Sequence, residues 1–185
     1  MNLRIAVVSA LTLVSVTGFS GPAAAEETSC RGSIGARTVD NLKVPSGARC
    51  ELDGTKVKGT IKVGRKATLV AEDVRVIGNV QAENARRVVV RGSRVGGSVQ
   101  IVQGGSALIR GTKVNADILF DDQAGKVRAI GNTVGGNIQA FQNTGGVVVK
   151  NNEVDGNLQC KENKPPPTGG NNEVQGNKED QCSDL

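Results

Sequence analysis

The stretch "VGGNIQAFQNTGGVVVKNNEVDGNLQC" (134–160) opens and closes on one phrase, VGGNIQA and then VDGNLQC. The phrase is Val-x-Gly-polar-aliphatic-x-apolar. It also occurs as VKGTIKV (57–63), VIGNVQA (76–82), VGGSVQI (95–101), VNADILF (114–120) and VQGNKED (174–180). Successive copies keep one interval up to VNADILF, and from there on an interval longer by a single residue. Ala116 replaces the glycine of the fourth copy, Lys178 replaces the aliphatic residue of the last, and a degenerate copy stands at VDNLKV (39–44). A fixed period of this kind marks a repeat architecture.

Within each copy, apolar residues alternate with polar ones: Ile61/Val63, Val80/Ala82, Val99/Ile101, Ile118/Phe120, Ile138/Ala140 and Leu158/Cys160. A second alternating set lies between the copies, Leu69/Ala71, Val88/Val90, Ala107/Ile109, Val127/Ala129 and Val147/Val149. Alternation is the period of a strand. Two or three short strands per period, with glycine near the corners, leave little room for a helix. The fold class expected is therefore all-β, a β-solenoid with coils of 19–20 residues. Coils stacked through parallel pairing rise about 4.8 Å each, or roughly 29 Å from Gly59 to Gly176. The aliphatic columns then fill the interior, and the glycine column permits a corner that a Cβ would hinder.

The cysteines fit the same geometry. Cys50 follows Cys30, and Cys182 follows Cys160, by about one coil in each case. Adjacent coils lie within the span of a disulfide, so the spacing predicts pairs Cys30–Cys50 and Cys160–Cys182, a clamp at each end. Each such closed loop contributes about 3 kcal/mol in the chain-entropy model.

The first residues read as a secretory leader. Arg4 precedes an apolar run from Ile5 to Val16, and Ala23-Ala24-Ala25 precede Glu26, which places cleavage after residue 25. The apolar run is short of the ~20 residues of a membrane span, and no later segment is apolar enough. An even cysteine count agrees with an oxidising compartment, secreted, extracellular or wall-associated. The organisation expected is a signal peptide at 1–25, an N-terminal cap and first coil at 26–56, solenoid coils at 57–160 and a C-terminal cap at 161–185. The last boundary rests on Pro167, Gly169 and Lys178, which stand where Val147, Val149 and Leu158 stood one coil earlier. Proline removes a ladder donor and an unpaired lysine does not sit in a closed apolar core.

The GN[VIL]Q coils, with the tail GNLQCKENKPPPTGGNNEVQGNKEDQC, resemble uncharacterised bacterial secreted right-handed parallel β-helix repeat proteins. That resemblance covers most of the chain after the leader and implies a right-handed coil, while leaving function open. A weaker similarity is to bactofilins, which are polymer-forming β-helices of comparable coil length but cytosolic and without disulfide clamps.

Composition restricts the chemistry. The chain has no Trp, Tyr or His, and only Phe120 and Phe141 follow the leader. Imidazole acid–base chemistry and imidazole metal ligation are therefore absent, and no cofactor or metal is expected. Aromatic stacking on bases or sugars has almost no platform. After the leader, 22 Lys and Arg face 18 Asp and Glu, a net charge of +4 that is too mild to imply nucleic acid.

Outward columns carry what remains. Lys56, Arg75, Arg94 and Lys113 recur at one strict interval, each just before the valine that opens the phrase, and predict a cationic ladder. Arg91 and Arg110 are expected to widen it, and the column continues as Thr133, Glu153 and Glu173. The ladder points to a module at the cell envelope that binds an anionic polymer or polysaccharide through charge, against the plain alternative of a solvated face. A second column, Val70, Val89, Leu108 and Val148 broken by Arg128, is read either as a partner or self-association face, or as a strip covered by residues 31–50, or as tolerated strand formers. Asn132, Asn152 and Asn172, and Asn137, Asn157 and Asn177, are read as amides bonding from coil to coil. The competing function is a polysaccharide lyase or hydrolase using Asp117, Asp121 and Asp122 with Arg110 or Lys126. Its main support is analogy with larger β-helices, so no catalytic residue is assigned.

Overall fold

The computed structural model describes residues 26–185; the expected leader and its cleavage site lie outside them. Three parallel sheets form the walls of a β-solenoid. The first face has nine strands, from Glu27–Ser29 to Lys178–Asp180, and the second has eight, from Ser33–Ile34 to Thr168–Gly170. The third has eight strands of two residues each, from Thr38–Val39 to Glu173–Val174. One coil visits the three faces in turn, as in Val99–Val102, Ser106–Arg110 and Lys113–Val114, before Ile118–Asp121 starts the next.

The repeat sets the register. Val99, Ile118, Ile138 and Leu158 are successive Cα partners on the first face. Ala107, Val127 and Val147 are partners on the second. Both alternating sets read from the sequence are buried throughout, and the valines that open each phrase, Val57 to Val154, form a third buried column. Neighbouring strands present like residues to one another, so every wall contributes apolar rows to a common core.

The glycine of the phrase is needed for a different reason from the one expected. Gly78 and Gly156 are not in the left-handed region; a Cβ on Gly78 would lie 2.8 Å from Gly59 O, and one on Gly156 would lie 2.5 Å from Asn137 Oδ1. Close approach of one coil to the next selects them. Left-handed backbone occurs at another corner, before the third face, where Gly54, Asp73, Gly92, Gly111, Gly131, Asn151 and Asn171 all have φ between 51 and 62°. Gly, Asn and Asp are the residues that adopt this conformation most readily.

Two disulfides close the ends, Cys30–Cys50 with Cα atoms 5.5 Å apart and Cys160–Cys182 with Cα atoms 5.2 Å apart. The strand ladder runs one coil beyond the expected stop. Thr168–Gly170, Glu173–Val174 and Lys178–Asp180 each pair in parallel with the coil before. This coil has little interior: Lys178, the register partner of Leu158, is exposed. The chain then turns through residues 181–184, with Cys182 buried and Leu185 packed against the core.

Candidate functional site

The third face is built by a four-residue rule. A left-handed corner residue is followed by a buried one (Thr55, Val74, Ser93, Thr112, Asn132, Asn152 or Asn172), then by an outward residue, then by the inward valine. The outward position carries the predicted ladder. Lys56, Arg75, Arg94 and Lys113 are Cα partners on consecutive strands, and all four are exposed. The same column continues through Thr133 to Glu153 and Glu173. One register therefore reads four cations, a threonine and two carboxylates. None of these charged residues enters an ion pair among the described residues, whose pairs are Lys43–Glu27, Arg49–Glu51, Lys58–Asp40 and Arg91–Glu72.

A shallow groove of about 590 Å³ lies along the ladder, lined by Arg75, Arg94 and Lys113 with Ile77, Gly96 and Asn115 beside them. Ile77 is 48% exposed, a large apolar side chain left in water. Gly96 follows it one coil on and leaves a dip next to its methyl groups. The sequence reading passed over Ile77, although its place one residue after the opening valine marked it as outward.

Arg91 and Arg110 do not line this groove. They are register partners at the end of the second face, across a corner from the ladder, and Arg91 Nη1 donates to Glu72 Oε1 at 2.8 Å. Arg91's contribution to the stripe is thus reduced by that partner. At the start of the third face, Lys58 Nζ lies 2.9 Å from Asp40 Oδ1. The hydrogen bond from Lys58 and its charge hold the Asp40 carboxyl below its ordinary value.

The second face carries the apolar row in register: Val70, Val89, Leu108, Arg128 and Val148. Residues 31–50 do not cover it. Ser33–Ile34 and Arg49–Asp53 are strands of the same sheet, with Glu51 next to Val70 in the column. Val89 is nonetheless only 1% exposed, while Val70 and Leu108 on either side of it are half-buried. The first face presents glutamines, with Gln81 Nε2 donating to Gln100 Oε1 at 3.4 Å and Gln139 Nε2 to Gln159 Oε1 at 2.8 Å. The "Q" of the repeated phrase was their signal.

The carboxylates considered for catalysis are not assembled as a site. Asp117 belongs to a corner ladder running the length of the solenoid. In it Asn41, Thr60, Asn79, Ser98, Asp117, Asn137 and Asn157 each accept the backbone N–H of the equivalent residue one coil on. Asp117 Oδ1 takes both Asn137 N–H at 2.8 Å and Asn137 Nδ2 at 3.0 Å. Asp122 is a left-handed turn residue with φ 53°. Asp121 borders a separate recess of about 360 Å³ with Phe141, Gln142, Lys161 and Glu162, which neither Arg110 nor Lys126 lines. Comparisons with protein-family models, curated proteins and solved structures gave no match for this chain.

Proposed function

We propose that this protein is a secreted binding module of the cell envelope whose third face holds an anionic polymer, an acidic polysaccharide or a wall polymer, through charge. The observation that carries this reading is the register of Lys56, Arg75, Arg94 and Lys113 on four adjacent strands, exposed and without acidic partners among the described residues. Like charges held one strand apart repel, and a polyanion lying along the solenoid axis relieves that repulsion at every coil. Two disulfides and the layout of residues 1–25 support export to an oxidising compartment.

The test is co-sedimentation with isolated cell-envelope material at low and high salt. Beside the wild type runs a variant carrying Lys56→Ser, Arg75→Ser, Arg94→Ser and Lys113→Ser. The reading expects binding that falls with salt and is lost in the variant. Equal binding by the two proteins, or none by either, overturns it.

A further inference from the structure

The ladder column is charged at both ends with opposite sign, and this has a geometric consequence independent of any polymer. From Arg94 the register runs Arg94, Lys113, Thr133, Glu153, Glu173. Read backwards, the signs invert about Thr133. Two third faces brought together with their solenoid axes antiparallel are related by a two-fold axis along the strand direction. That operation returns each column to itself with its rows reversed, so the contact is isologous. With the axis at Thr133, Arg94 meets Glu173 of the second copy and Lys113 meets Glu153, four ion pairs in all.

The neighbouring column on the same face agrees. It reads Gly96, Asn115, Gly135, Asp155 and Gln175, so the same operation sets an Asn115 amide against the carboxylate of Asp155. Gly135 meets itself at the axis, where the absence of a side chain lets the faces approach. The parallel arrangement, by contrast, sets cation against cation.

We infer that the third face is a self-complementary interface through which two copies of this chain associate antiparallel, with Thr133 on the two-fold. The overlap is about 20 Å long, four coil steps, and two residues wide. That buries a few hundred Å² per copy, less than the roughly 800 Å² per partner of a standard stable interface. The dimer is therefore transient and controlled by charge. Arg94 and Lys113 are shared with the polymer-binding ladder, whereas Lys56 and Arg75 lie outside the overlap; self-association is read on the protein alone, so its failure leaves the polymer reading standing.

The experiment is sedimentation equilibrium of the purified protein over a concentration series. Two charge-reversed variants are run alongside it, Arg94→Glu with Lys113→Glu, and Glu153→Lys with Glu173→Lys. All four positions are exposed strand residues, and circular dichroism checks that each variant keeps its β-structure. The wild type is expected to self-associate at low salt, with the association constant falling at least ~10-fold at high salt. Each variant alone is expected to be monomeric. Their equimolar mixture is expected to recover the association, because every reversed residue then meets its opposite. A wild type that stays monomeric at its highest soluble concentration overturns the inference, as does a variant that dimerises alone, or a folded pair that fails to associate when mixed.

Discussion

The coils up to Lys113–Val114 and those after it share one fold but hold their corners differently. In the first group the buried corner residues before the third face are Thr55, Val74, Ser93 and Thr112, and at the corner between the first and second faces they are small, Ala67 and Ala85. In the second group both corners become amide ladders. Asn132, Asn152 and Asn172 form one, in which each side-chain oxygen accepts from the coil before and each Nδ2 donates to a strand carbonyl: Ile109, Ala129 and Val149. Gln123, Asn143, Asn163 and Gln181 form the other. The change coincides with the period. Val88 pairs with Ala107 and Ala107 in turn with Val127, a step longer by a single residue, and the extra residue enters at the corner where Gln123 sits.

A longer corner exposes more backbone to the interior, and a buried backbone group needs a partner. Asparagine supplies it, with Asn143 Nδ2 on Phe120 O and Asn163 Nδ2 on Ala140 O. At the junction Gln123 satisfies Ile101 O and Asp121 O, but its own Oε1 has no partner among the described residues. Residue 104, the corner residue one coil back, is glycine and offers no side-chain donor. The change in corner chemistry coincides with the change of the outer column from cations to Glu153 and Glu173, so the two halves differ inside and out.

The sharpest way to break this contrast is to remove one corner from each half. Asn152→Ala deletes an acceptor used by Asn132 N and Nδ2 and a donor to Ala129 O and Asn172 Oδ1. It is expected to cost about 3–4 kcal/mol in urea unfolding, whereas Ser93→Ala, which loses the bonds to Val74 N and Arg91 O, costs about 1–2 kcal/mol. Equal losses would dissolve the distinction. Next come the clamps. Replacing Cys30 with Cys50, or Cys160 with Cys182, by alanine should lower stability by about 3 kcal/mol in either case, because sequence separations of 20 and 22 differ little in closure entropy. A much larger loss at one end would show that the halves are not fastened alike.

Smaller still is the effect of replacing Lys56, Arg75, Arg94 and Lys113 by serine on unfolding. These are exposed strand positions, and the unfolding free energy should change by no more than about 0.5 kcal/mol in urea titration. A loss of several kcal/mol would make the ladder structural rather than a recognition surface. The smallest expected effect is at Asp40. Its lowered pKa adds stability above the ordinary carboxylate range, and that contribution disappears as pH falls through the folded value. The pair is exposed, so NMR titration rather than unfolding is the readout. Lys58→Ala should move the Asp40 midpoint upward, and an unmoved midpoint would remove Lys58 as the cause.

Much of the architecture was legible in the residues. The alternating pairs from Ile61/Val63 to Leu158/Cys160, both disulfides and the four-cation ladder all follow from one period, because parallel in-register stacking turns a sequence interval into a column. The Asn132 and Asn137 columns were legible on the same ground. The ladder through Asn143 and Asn163 was missed because its first member is Gln123 and its last is Gln181, so identity fails where geometry persists.

The sequence by itself thus determined which residues share a column, since that depends only on spacing and strand pairing. Only the tertiary structure decided which columns adjoin. The angle turned at each corner carried Arg91 and Arg110 around to another face than the ladder. A corner's angle is fixed by φ at a residue such as Gly92 and by what the buried side chain after it can reach, and neither is written in the period.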